Sequence, residues 1–269
     1  MKKIYLNLKR FDILPTFFGK NEIGEKERYG STIVKGIEEM KLEIPVTIYF
    51  QEVNILPALS EAKDVKVGCQ GVHYSDTSEG GNFGAFTTFR TANSMAGIGV
   101  KDTIIGHCEE RNHLNKLFAM GGGKGDINLI LNEEVKCATK ANMNVLYCIG
   151  EKDTELDRKY DVLKNQLLVG LKDVDLTKIT IAYEPVWAIG PGKTAPNKEY
   201  IEDIVKFIKS IVKCDVVYGG GLKKENAEIL ASIPELDGGL IALTTFGKDF
   251  GFHLKDFNEI VNTYKGGLK

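Results

Sequence analysis

Short runs of apolar residues alternate along this chain with longer stretches whose apolar positions recur three and four apart. The short runs are Ile4–Leu8, Val46–Phe50, Val65–Cys69, Asp102–Ile105, Val145–Ile149, Ile179–Tyr183, Asp215–Tyr218 and Gly239–Leu243. Each has the length of a strand, and a near-continuous apolar run predicts burial on both faces. Between them lie amphipathic stretches such as Asn132–Lys140, Asp157–Leu171, Lys198–Val212 and Lys224–Ser232. In the third of these, Ile201, Ile204, Val205, Ile208 and Ile211 keep the period of one helix face. Strands separated by helices pair in parallel through right-handed crossovers. Eight such units in 269 residues predict an α/β fold, a closed (β/α)8 barrel forming a single domain over residues 1–269. No linker, internal repeat or low-complexity tract divides the chain.

Charge narrows the partners. The chain carries 35 basic and 37 acidic residues, a formal net charge of −2, and no basic cluster long enough to track a phosphate backbone. A nucleic-acid partner is not expected. The apolar run that follows Met1-Lys2-Lys3 is broken by Asn7 and Lys9, so it reads as a strand and not as a signal peptide. No stretch of about 18 apolar residues is available to span a membrane. The five cysteines, Cys69, Cys108, Cys137, Cys148 and Cys214, are odd in number, widely spaced and without a C-x-x-C pair. They read as reduced thiols, which fits a cytoplasmic protein with neither disulfides nor a metal site.

In a parallel barrel, chemistry belongs where strands end and βα loops begin. Those ends carry Asn7 and Lys9, Gln70, His107-Cys108-Glu109, Cys148-Ile149-Gly150-Glu151, Glu184, and Tyr218-Gly219-Gly220-Gly221. A lysine, a histidine and a glutamate on three strand ends form an acid/base constellation. Alone, Lys9 reads equally as a solvated lysine and His107 as a structural imidazole. Cys108 beside His107 raises a thiol nucleophile, but neighbours on an extended strand point to opposite faces, which argues against it.

The most informative stretch is Tyr183–Gly192, Y-E-P-V-W-A-I-G-P-G. It sets Glu184 at a strand's C-terminal edge before a proline. Behind it come the sole tryptophan and a small-residue tip. A carboxylate there can serve as a general base, and the following loop can close over a substrate and exclude water. Two other glycine motifs carry no such weight. Gly192-Lys193-Thr194 has Trp187 where a P-loop needs glycine, and Met120–Gly125 lacks both the preceding strand and the Gly-Lys-Ser/Thr ending. The triple glycine Gly219–Gly221 directly follows a strand, where free amides can hold an anion; a tight turn at a packed barrel end is the alternative.

The chain resembles the triosephosphate isomerase family. The resemblance rests on Asn7-Leu8-Lys9, Ile105-Gly106-His107-Cys108-Glu109, Cys148-Ile149-Gly150-Glu151, Ala182–Gly190, Gly192-Lys193-Thr194-Ala195 and Tyr218-Gly219-Gly220, in family order from end to end. It implies a TIM barrel and an aldose–ketose isomerase. Glu184 would shuttle a proton between adjacent carbons, and neutral His107 would polarise the carbonyl. Lys9 would stabilise the enediolate, Asn7 would orient the site, and Glu109 would support or relay. Phosphate would be held by Gly190, Gly220 and Gly221 and at the Ala242-Leu243 positions. Pro185, Val186, Trp187, Ala188, Ile189 and Gly190 would form the lid. The resemblance further implies no cofactor, a small phosphorylated sugar as substrate, and a homodimer.

Several positions depart from the family. The diglycine after strand eight is Ala242-Leu243, in a loop lengthened through Gly251, so phosphate donors would have to come from Thr244, Thr245 or Lys248. The serine after strand seven is Gly221, and a lid-tip threonine is Pro191. The Thr-Gly-Glu dimer tip reads Thr87-Thr88-Phe89, preceded by the polar, glycine-rich Ser75–Gly84. The first arginine after the His-x-Glu motif is Glu110, with Arg111 next. The first βα loop, Phe11–Gly24, is long and carries Pro15, Phe17 and Phe18. Three functions stay open on the sequence: a triose phosphate isomerase, a related isomerase for a tetrulose phosphate, and a sugar-phosphate-binding barrel without turnover. A hydrolase or aldolase is more remote, because no metal set or Schiff-base lysine stands out.

Overall fold

A computed structural model describes residues 1–11, 28–190, 192–245 and 251–268. Most of the long first loop, Pro191 and Lys248 lie outside the described residues. Eight parallel strands close into a barrel in sequence order: β1 (Lys3–Asn7), β2 (Val46–Phe50), β3 (Lys66–Cys69), β4 (Asp102–Ile105), β5 (Asn144–Ile149), β6 (Ile179–Tyr183), β7 (Asp215–Tyr218) and β8 (Gly238–Ile241). Pairing of β1 with both β2 and β8 seals the ring. Helices follow the strands: α1 (Tyr29–Glu39), α2 (Glu52–Glu61), α3 (Ala92–Gly97), α4 (Cys108–Met120), α5 (Ile127–Lys140), α6 (Lys159–Gly170), α7 (Lys198–Ile211), α8 (Ala227–Ala231) and α9 (Leu254–Gly266).

The strands are mostly apolar because they serve two cores. Tyr5, Tyr49, Ile104, Leu146, Cys148, Ala182, Val217 and Leu240 form one buried cluster. Their strand neighbours, among them Ile4, Leu6, Ile48, Phe50 and Ile181, belong to a second cluster shared with the helices. Alternation at period two assigns the first set to the barrel interior. There Tyr5 and Tyr49 stack with ring centroids 6.2 Å apart.

Three expectations change at element edges. The eighth strand ends at Ile241, so Ala242 and Leu243 belong to the loop. Two helices begin elsewhere than their apolar period does, α5 earlier and α6 two residues later. α5 starts at Ile127 because Asp126 Oδ1 accepts the Asn128 N–H at 2.9 Å. α6 is preceded by a 3-10 turn, Asp153–Arg158. Finally, the chain turns helical at Cys108, so the extended-strand premise for His107-Cys108 fails: His107 is the N-cap of α4.

Candidate active site

The C-terminal ends of β1, β4 and β6 bring three predicted residues together. Glu184 follows β6, and its backbone is pinned by Glu184 N–H donating to Ile149 O at 2.7 Å and by Gly219 N–H donating to Tyr183 O at 2.6 Å. Gly219 is required by close approach: a Cβ there would stand 2.7 Å from Glu184 Cγ and 3.0 Å from Tyr183 O. The Glu184 side chain is 2% exposed. Its Oε2 accepts the Cys108 N–H at 2.9 Å, at the start of α4, and its Oε1 lies 3.3 Å from His107 Nε2. Burial raises Glu184 above the ordinary carboxylate range, opposed by His107, the Cys108 amide, Lys9 and Arg111. A base lifted in this way accepts a carbon-bound proton more readily.

Capping fixes His107. Its Nδ1 accepts the Glu109 N–H at 3.3 Å. An Nδ1 that accepts carries no proton, which leaves the ring N–H at Nε2, the nitrogen beside Glu184. Lys9 sits just past β1 at φ 45°, a left-handed backbone uncommon for a lysine. Its turn is held by Lys9 N–H to Asn7 Oδ1 at 3.1 Å. Gln70 Nε2 also donates to Asn7 Oδ1 at 3.2 Å and to Lys9 O at 3.0 Å. Lys9 Nζ pairs with Glu109 Oε1 at 2.8 Å. Against the upward push of burial, that contact holds Glu109 below its usual range. Glu109 thus steers Lys9 and stands 3.8 Å from His107 Nδ1.

Cys108 lies beside this cluster, its Sγ 3.9 Å from His107 Nδ1. Burial, with the Glu184 charge, pushes the thiol up to about 12, so it is no nucleophile. The inertness comes from its surroundings and not from strand geometry. The ligand atoms of His107, Cys108 and Glu184 lie within 4.8 Å of one another. Both Glu184 oxygens, however, already face the Cys108 amide and His107. A cavity of about 380 Å³ adjoins the cluster between α4, α5 and α6, touching Cys108, Arg111 and Val186 but not Lys9, His107 or Glu184.

The loop after β6 is anchored at its root and open at its tip. Val186–Ala188 form a 3-10 turn, and Val186 N–H donates to Glu151 O at 3.1 Å. The fully buried Glu151 gathers three donors on Oε1: Trp187 Nε1 at 2.8 Å, Tyr183 OH at 2.9 Å and Tyr200 OH at 3.1 Å. Gly190 has φ 117°, and a Cβ built on it would meet nothing within 4 Å. Among the described residues, the amides of Gly190, Gly220 and Gly221 carry no hydrogen bond. Gly221, at φ 93°, sits where a serine would be strained.

The proposed substitute donors after β8 are already engaged. Thr244 Oγ1 accepts His253 N–H at 2.8 Å, the Thr244 and Thr245 amides donate to Gly251 O, and Thr245 Oγ1 bonds Asp256. Residues that sequence reasoning left without a role include Arg111 and Arg90. Arg111 Nε donates to Gly106 O at 2.8 Å and its Nη2 to Cys148 O at 2.9 Å, while Arg90 bonds the carbonyls of Gln70 and Gly71. Their signal was an arginine within one turn of the His-x-Glu motif and one beside the Thr-Thr-Phe tip.

The family model described as triosephosphate isomerase matches residues 20–264. A triosephosphate isomerase of Flavobacterium johnsoniae is 32% identical over 239 residues, covering 82% of this chain and 88% of that protein. One of Geobacter metallireducens is 34% identical over 193 residues, covering 66% and 70%. In fold, a triosephosphate isomerase crystal structure from Bartonella henselae superposes with a TM-score of 0.73 at 23% identity, covering 98% of this chain and 99% of that one.

Proposed function

The chain belongs to the triosephosphate isomerase family and is an aldose–ketose isomerase, and from that premise we propose how its residues interconvert glyceraldehyde 3-phosphate and dihydroxyacetone phosphate. The observation that carries the assignment is the convergence of Lys9, His107 and Glu184 at one barrel mouth, with His107 Nε2 3.3 Å from Glu184. Glu184 removes the proton from the carbon beside the carbonyl and returns it to the neighbouring carbon. The Nε2–H of His107 donates to the carbonyl oxygen and moves the proton between the two oxygens. Lys9, positioned by Gln70 and Glu109, stabilises the anionic enediolate in a site shielded from water. A base raised by burial beside a neutral imidazole is the established division of labour in triosephosphate isomerases.

The phosphate falls to the unbonded amides of Gly190, Gly220 and Gly221, with Lys9 supplying charge. Ala242 and Leu243 contribute main chain only. The altered loop after β8 favours a second reading, in which a tetrulose phosphate is the better substrate. Reduced thiols support cytoplasmic work in glycolysis and gluconeogenesis, and no described helix is long and apolar enough to cross a membrane. Homodimer formation is supported by an aromatic patch at the Thr-Thr-Phe tip: Phe89, 57% exposed, stacks on His73, whose ring also meets Phe86 edge-on at 5.7 Å.

A coupled assay with glyceraldehyde 3-phosphate, run beside erythrulose phosphates and a Glu184→Gln control, tests the reading. Glu184-dependent turnover of the triose is expected. Turnover of the tetrulose phosphates alone would establish the second reading, and none with any substrate would leave a binding barrel.

A further inference from the structure

α4 opens with two adjacent glutamates that diverge. Glu109 reaches to Lys9, whereas Glu110 turns back and its Oε2 accepts the Gly106 N–H at 2.5 Å. The Gly106 carbonyl accepts from Arg111 at 2.8 Å. The residue before His107 is therefore gripped at both of its polar groups by side chains of the helix that His107 caps. Glu134 of α5, 7% exposed, neighbours Glu110 across the α4–α5 contact, and its buried Oε2 has no hydrogen-bond partner.

The nearby cations Arg90 and Arg111 oppose the burial of the two acids, but their hydrogen bonds go elsewhere. Arg90 pairs with Glu52 of α2 and spends its other donors on the Gln70 and Gly71 carbonyls. Arg111 spends its own on Gly106, Asn128, Tyr147 and Cys148. His107, Tyr147 and Cys148 on the Glu110 side and Cys137 on α5 complete the titratable groups facing the two acids. Two neighbouring carboxylates, one buried and one half-buried, repel when both are ionised; one proton between them converts repulsion into a hydrogen bond.

We infer that Glu110 and Glu134 share one proton and act as a positioning pair for His107, with Glu134 donating its O–H to Glu110 and Glu110 holding the Gly106 amide. The pair also abuts Arg90, which fastens Gln70, and Gln70 in turn holds Asn7 and Lys9. The turn carrying His107 and the turn carrying Lys9 thus share one buried support. Its charges are inverted relative to the family, since the acid Glu110 stands where the family places an arginine. Burial, reinforced by Glu110, pushes Glu134 up to about 10, and burial raises Glu110 as well. A carboxyl raised on folding contributes stability that is full below its ordinary value of 4.5 and lost as pH rises through about 10.

An effect of Glu134 on turnover presupposes the isomerase reading, whereas the shared proton does not. The full chain, Glu134→Gln and Glu134→Leu are compared by infrared spectroscopy at neutral pH, by melting against pH and by kcat and KM against pH. The wild type should show a protonated-carboxyl band that disappears in Glu134→Gln, whose amide can still donate to Glu110. Glu134→Gln should keep most of the turnover and flatten the loss of melting temperature between neutral pH and pH 10. Glu134→Leu should lose on the order of tenfold or more in kcat with KM little changed, the effect of a displaced His107. A band that survives in Glu134→Gln, or equal kcat and pH profiles in the two variants, would overturn the pair. If Glu134→Leu does not fold, the band and the melting profile of Glu134→Gln decide. A wild type with no turnover refutes the isomerase reading and leaves those two readouts to judge the shared proton.

Discussion

Replacing Glu184 by aspartate isolates the placement of the base from its chemistry. The backbone is pinned on both sides by the Ile149 and Tyr183 carbonyls, so the shorter side chain withdraws its carboxylate by about 1 Å while Cα stays in place. From the new position the 2.9 Å bond to the Cys108 amide and the 3.3 Å approach to His107 both stretch beyond hydrogen-bond range. A retreat of that size by a reacting group costs on the order of 100-fold in rate, about 2.7 kcal/mol of barrier. The substrate's phosphate is held elsewhere, so KM should change little and kcat/KM should fall in step with kcat. Steady-state assays in both directions read the two constants. A parallel melt checks that the site, where Glu184 is 2% exposed, has not collapsed. A variant that folds and keeps kcat within about twofold would remove Glu184 from the base role.

Two further outcomes follow from loop geometry. Glu151→Ala removes the acceptor shared by Tyr183, Trp187 and Tyr200, and each buried donor left unpaired costs about 1–3 kcal/mol. Since Trp187 is the only tryptophan, melting should drop and its emission should shift together; unchanged emission would mean that the lid root is anchored by something else. Ala242→Gly with Leu243→Gly should tighten binding of inorganic phosphate and of the triose phosphate, measured by calorimetry and as KM, because the backbone can then approach the anion. No change in either would show that the loop after β8 does not face the phosphate.

The barrel and the convergence of Lys9, His107 and Glu184 at its mouth were legible because both follow from patterns that local sequence imposes. Apolar runs at strand spacing set the ring, and polar residues at the ends of those runs fall at the C-terminal mouth. Lys9, His107 and Glu184 meet there as expected, but the reasons for their poses were not local. The His107 tautomer depends on a helix that starts at Cys108, and a reading of strand ends does not reveal that start. The pairing of Glu52 on α2 with Arg90, likewise, joins residues far apart in the chain. Glu134 looked like one more charged position on an amphipathic helix, because only the packing of α5 on α4 shows that it faces another acid. The Thr244 and Thr245 hydroxyls looked available as donors, yet they close their own loop onto Gly251 and α9.

Those same particulars explain why the cluster of Lys9, His107 and Glu184 keeps its geometry beside an altered loop after β8. Glu184 is fixed by ladder-like bonds to the neighbouring strands, and His107 by the cap of a helix whose first turn is locked through Glu110 and Arg111. Neither depends on the backbone beyond Ile241. The proposed phosphate grip instead relies on main-chain amides in loops, where a side chain at Ala242 or Leu243 changes how closely an anion approaches without moving any strand end. Lengthening that loop therefore alters how long the substrate stays bound before it alters proton transfer. Divergence among chains with this constellation should then appear mainly in KM and substrate size. Substitutions at Gly106, Glu110, Arg111 or Glu134, well away from any phosphate, should appear in kcat.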